Sequence, residues 1–183
     1  MTFDDIVIAD LDGNTVYSGN GHKPTGETPM HTKIYKLRPD INALVHAHPP
    51  YLTGFSMTDS RILESPLLPE PVIEAGPIVS IPYAEPISND LANLFEEHIH
   101  KSNAWLMKNH GITVGSTEGI SRAMDILEMT EMMALSVSVA LNAGKISTIP
   151  IEEVEKLDNT IKALGIPRPG NPALYKSLKS IYS

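Results

Sequence analysis

Hydrophobic residues recur along the chain with two different periods, which predict strands interleaved with helices. Apolar runs at 6–9 and 15–18 flank an Asp-Gly pair, Asp12-Gly13, that suits a tight turn, so the chain is expected to open with a β-hairpin. Further short apolar runs predict strands at 43–48, 78–81, 104–107 and 112–114.

Apolar residues three and four positions apart predict the helices. Thr28, Ser88 and Thr117 are expected to cap the first three at their N-termini, and glycines end the last two. The predicted helices cover 28–38, 88–100, 117–144 and 152–164. The segment 62–77 carries four prolines, so we expect it to be irregular, with short strands at most around Val72-Ile73.

This order of elements predicts the fold class. Strands that alternate with helices, together with a hairpin, favour a three-layer α/β/α sandwich around a mainly antiparallel sheet. The chain has 183 residues, of which 42% are hydrophobic, which is enough for one domain with a sizeable core. We therefore expect a single domain over residues 1–183.

Charge and composition exclude several classes of protein. The 14 Lys and Arg against 22 Asp and Glu, with a net charge of −8, argue against a nucleic-acid partner, which needs a clustered basic face. No run of about 18 apolar residues is present, and the acidic start does not resemble a secretory signal, so we expect a cytoplasmic protein with no membrane partner. The absence of cysteine means that any metal must be held by nitrogen and oxygen ligands.

The seven histidines are therefore the first candidates for chemistry, and four of them form two His-x-His pairs. His46 and His48 lie on a predicted strand, where residues i and i+2 point to the same face and can converge on one ion. His98 and His100 end a predicted helix, where the same spacing separates them by about 200°, so we interpret them as solvated. For the first pair, two hydrogen-bonded core histidines remain the alternative.

A third histidine and a carboxylate complete the candidate site. His110 lies in a turn between two apolar strands, where Gly111 permits a close backbone approach, although a lone histidine there is more often structural. Three imidazoles with one open or carboxylate-filled position is the arrangement of a catalytic zinc. Glu27, just before a predicted helix N-terminus, is the candidate carboxylate, and a plain capping acid is the alternative.

Four motifs together resemble the class II aldolase/adducin family in their order and spacing. They are Gly26-Glu27-Thr28-Pro29-Met30-His31, Arg38-Pro39-Asp40, Ala43-Leu44-Val45-His46-Ala47-His48-Pro49 and Lys108-Asn109-His110-Gly111.

The resemblance implies roles for particular residues. His46, His48 and His110 would bind Zn²⁺, and Glu27 would be both a displaceable fourth ligand and the catalytic acid/base. Thr25 and Gly26 would fall in a phosphate-binding loop.

The resemblance also implies an activity and an assembly. The chain would be a zinc-dependent aldolase that cleaves a ketose 1-phosphate, such as L-fuculose 1-phosphate, to dihydroxyacetone phosphate and an aldehyde through an enediolate that the metal stabilises. The sites would lie between the subunits of a homotetramer.

Alternatives within the same family stay open. A pentulose-5-phosphate 4-epimerase or a metal-dependent decarboxylase would use the same enolate chemistry, although the epimerases typically carry Asp at the position of Glu27. An adducin-like interaction domain without catalysis is a third possibility. A Schiff-base aldolase that uses Lys108 is disfavoured, because the turn beside His110 explains this lysine better.

The chain departs from the family pattern in two places. From the resemblance, we expect the family's N-terminal helix and first phosphate-loop segment to be missing from residues 1–183. The expected catalytic tyrosine does not occur at 67–81, which leaves Tyr175 or, as our choice, Tyr182 in the C-terminal tail as the possible acid.

Overall fold

The predicted hairpin and the predicted central sheet are both present in the computed structural model, which describes residues 2–183. The hairpin pairs β1 (Val7–Ala9) with β2 (Thr15–Ser18) and forms a sheet of its own. The central sheet contains β3 (Ala43–Ala47), β4 (Val79–Ile81), β5 (Ala104–Met107) and β6 (Gly111–Ser116). Their spatial order is β3-β6-β5-β4, with β3/β6 and β5/β6 antiparallel and β4/β5 parallel. The expectation of a mainly antiparallel sheet is confirmed.

Helices cover both faces of this sheet. They are α1 (Thr28–Leu37), α2 (Pro50–Ser56), α3 (Pro69–Glu74), α4 (Asn89–His98), α5 (Ile120–Ala143), α6 (Ile151–Leu164) and α7 (Leu178–Tyr182). Strand β5 is buried on both sides, with Trp105 and Met107 in one core against α1 and α4, and Leu106 in a second core against α2 and α5. These layers form the predicted α/β/α sandwich. None of the helices in residues 2–183 is long and apolar enough to cross a membrane.

One prediction for the segment 62–77 was wrong. Instead of short strands at most around Val72-Ile73, residues 69–74 form the helix α3. Pro69 and Pro71 occupy its first turn, where a missing N–H costs no intrahelical hydrogen bond, so the prolines start the helix and do not prevent it. Val72 and Ile73 are buried in a third core that α3 shares with α6 and α7.

The ends of several elements also differ from the sequence-based boundaries. The N-cap of α1 is Glu27, with Thr28 as the first helical residue, and α5 begins after Gly119 and not at Thr117. The backbone at this N-cap position has a φ of 119°. Gly119 adopts this angle without strain, whereas a threonine such as the predicted cap Thr117 would not. The predicted cap Ser88 is confirmed, because its Oγ accepts a hydrogen bond from the N–H of Leu91 at 3.1 Å.

Candidate metal centre

Strand β3 brings two of the predicted ligands together. His46 lies in the strand and His48 one residue beyond its end, before Pro49. Their Nε2 atoms are 3.1 Å apart and their ring centroids 4.8 Å apart. The spacing of two residues on extended backbone therefore produces the convergence that the sequence predicted.

The turn between β5 and β6 adds the third histidine. The His110 ring centroid lies 4.9 Å from that of His46 and 5.0 Å from that of His48. One ligand atom from each of the three histidines lies within 4.8 Å of the others. Asn109, at a φ of 54°, makes the tight turn, since asparagine tolerates the left-handed region better than most residues.

Gly111 is required for a different reason. A Cβ atom built there would lie 2.3 Å from Cδ2 of His48 and 2.6 Å from the carbonyl oxygen of Ala47. The sequence analysis expected this close approach, and the structure assigns it to the packing of β6 against the residue that follows β3.

The environment of His46 favours a neutral ligand. Burial lowers its pKa to about 4, although the hydrogen bond to the Ile112 carbonyl opposes this shift. Its Nδ1 lies 3.0 Å from that carbonyl oxygen and 3.2 Å from Oγ1 of Thr113. A neutral imidazole that donates from Nδ1 to the carbonyl presents the lone pair of Nε2 to the neighbouring histidines.

The pKa of His110 is lowered as well. Burial is the main cause, and the negative charge of Glu27 opposes the shift. Its Nδ1 is buried and has no hydrogen-bond partner among residues 2–183.

The spacing of the nitrogen atoms suits a zinc ion. Two ligand atoms, each bound to zinc at about 2.0 Å, lie roughly 3.3 Å apart in a tetrahedron. The Nε2 atoms of His46 and His48 are already close to that separation. Three imidazole nitrogen donors in one cluster fit a zinc-type divalent cation.

Glu27 lies next to this cluster. It is 8% exposed, and its Oε1 is 3.6 Å from Nε2 of His110. The same oxygen accepts a hydrogen bond from the backbone N–H of Ile87 at 3.3 Å. The start of α1 thus holds a buried carboxylate beside the imidazoles.

The remaining predicted site residues lie in two different places. Thr25 and Gly26 immediately precede Glu27, and Oγ1 of Thr25 accepts a hydrogen bond from the Glu27 N–H at 3.3 Å. Tyr182 packs in the third core with α3 and α6, outside the histidine cluster of its own chain, and burial raises its pKa. His98 and His100 are not part of the cluster either, and Nδ1 of His100 accepts from the Asn171 amide at 3.3 Å.

Sequence reasoning missed two groups that contact the candidate site. The Ile112 carbonyl is a partner of His46 because β3 pairs with β6, whose residues are about 65 positions away in the chain, and no local signal predicts that pairing. The N–H of Ile87 comes from the loop before α4, which carries no motif.

Comparisons with known proteins agree with this geometry. The sequence profile described as "Class II Aldolase and Adducin N-terminal domain" matches residues 1–137. An L-fuculose phosphate aldolase of Methanococcus maripaludis is 38% identical over 135 residues, which are 73% of this chain and 69% of that protein. A 3-oxo-tetronate 4-phosphate decarboxylase of Haemophilus influenzae is 29% identical over 163 residues, which are 87% of this chain and 75% of that protein.

A solved structure of an L-fuculose 1-phosphate aldolase superposes with a TM-score of 0.73 at 30% identity, covering 88% of this chain and 74% of that one. The profile match extends from the hairpin through most of α5 and includes all three histidines and Glu27. The chain belongs to the class II aldolase and adducin family.

Proposed function

We propose that this chain is a metal-dependent aldehyde-lyase that cleaves a ketose 1-phosphate, such as L-fuculose 1-phosphate, into dihydroxyacetone phosphate and an aldehyde. The observation that carries the proposal is the convergence of three imidazoles beside a buried carboxylate, with Oε1 of Glu27 3.6 Å from Nε2 of His110. The relatives named L-fuculose phosphate aldolase support the substrate class.

The metal of this proposal is Zn²⁺, held by His46, His48 and His110. The three nitrogen donors favour zinc over magnesium or calcium, which prefer oxygen ligands. When bound, the ion would polarise the substrate carbonyl and stabilise the negative charge that develops on its oxygen.

Glu27 carries the proton chemistry. When the C3–C4 bond breaks, its electron pair stays on C3, and the C4 hydroxyl passes its proton to a base, assigned below to the Tyr182 phenolate, so that C4 becomes the aldehyde carbon. C3 then takes a proton, which Glu27 in its acid form would deliver. Its burial next to His110 excludes most water from this transfer.

Substrate binding is assigned to the segment before α1. Thr25 and Gly26 precede the N-terminus of α1, where the positive end of the helix dipole attracts a phosphate. Tyr182 lies outside the histidine cluster of its own chain, so we assign the proton exchange at the aldehyde oxygen to Tyr182 of a neighbouring subunit in the proposed tetramer. Burial raises the pKa of this phenol, so the phenol would be the acid toward the aldehyde oxygen in the condensation direction, and its phenolate would be the base in cleavage.

We also propose a homotetramer with sites between subunits. Support comes from large apolar side chains exposed on two elements of the isolated chain. On the hairpin and the residues around it they are Phe3, Ile8 and Val16, and on α5 they are Ile120, Met132 and Val139. Sedimentation velocity of the purified protein measures the assembly. The cytoplasmic location stays a prediction from the sequence.

The activity is tested with zinc-loaded protein, by following dihydroxyacetone phosphate released from L-fuculose 1-phosphate and related ketose phosphates. We expect release that stops after chelation and returns with Zn²⁺. Glu27→Gln should lower kcat by about 10²–10⁴-fold because it removes the proton donor. Glu128→Gln is the matched control, since Glu128 is exposed on α5.

Analysis of the reaction products distinguishes the proposed aldolase from the alternative activities. Release of CO₂ from a 3-oxo-tetronate 4-phosphate would indicate a decarboxylase. Formation of a C4 epimer from a pentulose 5-phosphate would indicate an epimerase. Protein that binds no zinc and turns over none of these substrates would contradict a metal-dependent enzyme and favour an interaction domain.

A further inference from the structure

The loop between β4 and α4 contains a residue in a strained conformation. Ile87 has a φ of 66°, in the left-handed region, and among residues 2–183 the other non-glycine residue with positive φ is Asn109. Asparagine tolerates this region, whereas a β-branched side chain rarely adopts it. The surrounding structure must therefore hold Ile87 in place.

Both neighbours of Ile87 are constrained. Pro86 precedes it, with a φ restricted by its ring. Ser88 follows and is fixed as the cap of α4, where its Oγ accepts from the Leu91 N–H at 3.1 Å and donates to the Glu85 carbonyl at 2.6 Å. A positive φ lets the peptide between residues 86 and 87 face away from the helix while the chain still enters α4 at Ser88.

That peptide group faces the candidate acid/base. The N–H of Ile87 donates to Oε1 of Glu27 at 3.3 Å, and this is the one hydrogen bond to the Glu27 carboxylate within residues 2–183. The Ile87 side chain packs on Gly26, the residue that precedes Glu27. A Cβ atom built at Gly26 would lie only 3.0–3.2 Å from three carbon atoms of the Ile87 side chain. Ile87 thus contacts two consecutive residues at the start of α1.

We propose that Ile87 is a positioning residue for Glu27, whose carboxylate its backbone N–H holds beside His110. The inference rests on the proposed role of Glu27 as the acid/base. Without this N–H the carboxylate is free to rotate away from the histidines, so proton transfer slows while substrate binding stays the same. The strained φ is the conformation that aims the N–H, and Gly26 leaves room for the isoleucine side chain above it.

The sharpest test deletes the hydrogen-bond donor and keeps the side chain. Replacing Ile87 by its α-hydroxy analogue turns the peptide N–H into an ester oxygen in the full-length, zinc-loaded protein. We expect kcat for dihydroxyacetone phosphate release to fall about tenfold or more with KM changed less than about twofold. Combined with Glu27→Gln, the ester should cause no further loss.

Two ordinary substitutions provide matched controls. Ile87→Gly and Ile87→Asn keep the N–H and tolerate a positive φ, so both should stay within about threefold of the wild-type kcat. An ester variant with unchanged kcat, or a glycine variant as impaired as the ester, would overturn the proposal.

A second measurement needs no activity. In protein labelled with ¹⁵N-isoleucine, the Ile87 amide proton should shift upfield and exchange faster with solvent in Glu27→Ala than in wild type. An unchanged amide would show that the hydrogen bond is not made and would refute the inference. If Glu27→Gln retains full activity, the proposed function of Glu27 fails instead, and the amide signal still reports on the contact.

Discussion

The turn that carries His110 contains two residues with separate structural roles. Asn109 adopts the left-handed backbone that closes the turn, and Gly111 leaves the space that the His48 ring occupies. The first role tolerates asparagine, aspartate or glycine, because each adopts a positive φ at low cost. The second role tolerates glycine alone, since any Cβ would overlap both the ring and the Ala47 carbonyl.

Gly111→Ala is therefore expected to displace His48 and weaken metal binding. We expect the dissociation constant for Co²⁺, used as a spectroscopic substitute for Zn²⁺, to rise at least about tenfold, the loss typical of disturbing a ligand's support. The matched control is Gly54→Ala in α2, where a Cβ would meet no atom within 4 Å. That variant should keep its affinity and gain up to about 1 kcal/mol of stability. Equal affinities for the two alanine variants would contradict the assignment.

At the scale of elements, α2 depends on α5 for its N-terminus. The helix begins at Pro50 and has no capping side chain of its own. Instead Glu131 of α5 accepts hydrogen bonds from the N–H groups of Tyr51 and Leu52, at 2.8 Å and 2.9 Å. Two otherwise unpaired donors are satisfied, and a carboxylate lies at the positive end of the helix dipole. The segment that follows His48 is thereby attached to the longest helix.

Glu131→Ala should lower the free energy of unfolding by about 1–2 kcal/mol, the usual cost of a lost cap. Urea denaturation monitored by circular dichroism measures this change. Glu128→Ala removes an exposed glutamate from the same helix and should change the stability by less than about 0.5 kcal/mol. If both variants unfold at the same urea concentration, the cap does not contribute.

At the scale of the whole molecule, one buried arginine connects distant parts of the chain. Arg38 is fully buried just after α1, and both oxygens of Asp40 accept from it at 2.8 Å. Its other hydrogen bonds reach the carbonyl oxygens of Ile99, Ser102 and Gly170 and the side chain of Asn103. The Arg38-Pro39-Asp40 motif therefore joins α1, β3, the start of β5 and the C-terminal tail.

The charge pair predicts how stability depends on pH. Burial alone raises the pKa of Asp40, but the hydrogen bonds and charge of Arg38 outweigh it, so the pKa lies below its usual value. A lowered folded-state pKa means that the carboxylate stabilises the fold above its unfolded pKa of about 3.9, and that this contribution is lost as the pH falls through the folded value.

Asp40→Asn should thus lower the free energy of unfolding by about 2–4 kcal/mol at pH values above about 5, because it leaves a buried guanidinium without its counter-charge. The difference in unfolding free energy between the variant and wild type should become smaller below about pH 4. Urea unfolding of both proteins across this range measures it. Glu128→Gln, at an exposed carboxylate on α5, is the control, and its free energy of unfolding should follow that of wild type at each pH. A gap independent of pH would mean that the ionised carboxylate is not the source of the stabilisation.

Much of the fold and the candidate site was predictable from local pattern. The period of two on β3 explains why His46 and His48 converge, and the cap at Ser88 was recognisable because capping depends on one side chain and its nearest neighbours. The helix α3 was missed because a proline can mark the end of a helix as well as its first turn. Here the burial of Val72 against α6 and α7 favours the helix.

The sequence by itself determined which groups are available for chemistry: no thiol, a His-x-His pair on a strand, and a carboxylate before a helix. These depend on residue type and on periods of two or 3.6 residues, which act over a few positions. The sequence made His110 and Glu27 candidates, but only the tertiary structure placed them beside the pair and directed the N–H of Ile87 at Glu27. These contacts arise between segments tens of residues apart, whose approach is set by the packing of the whole sheet and its helices.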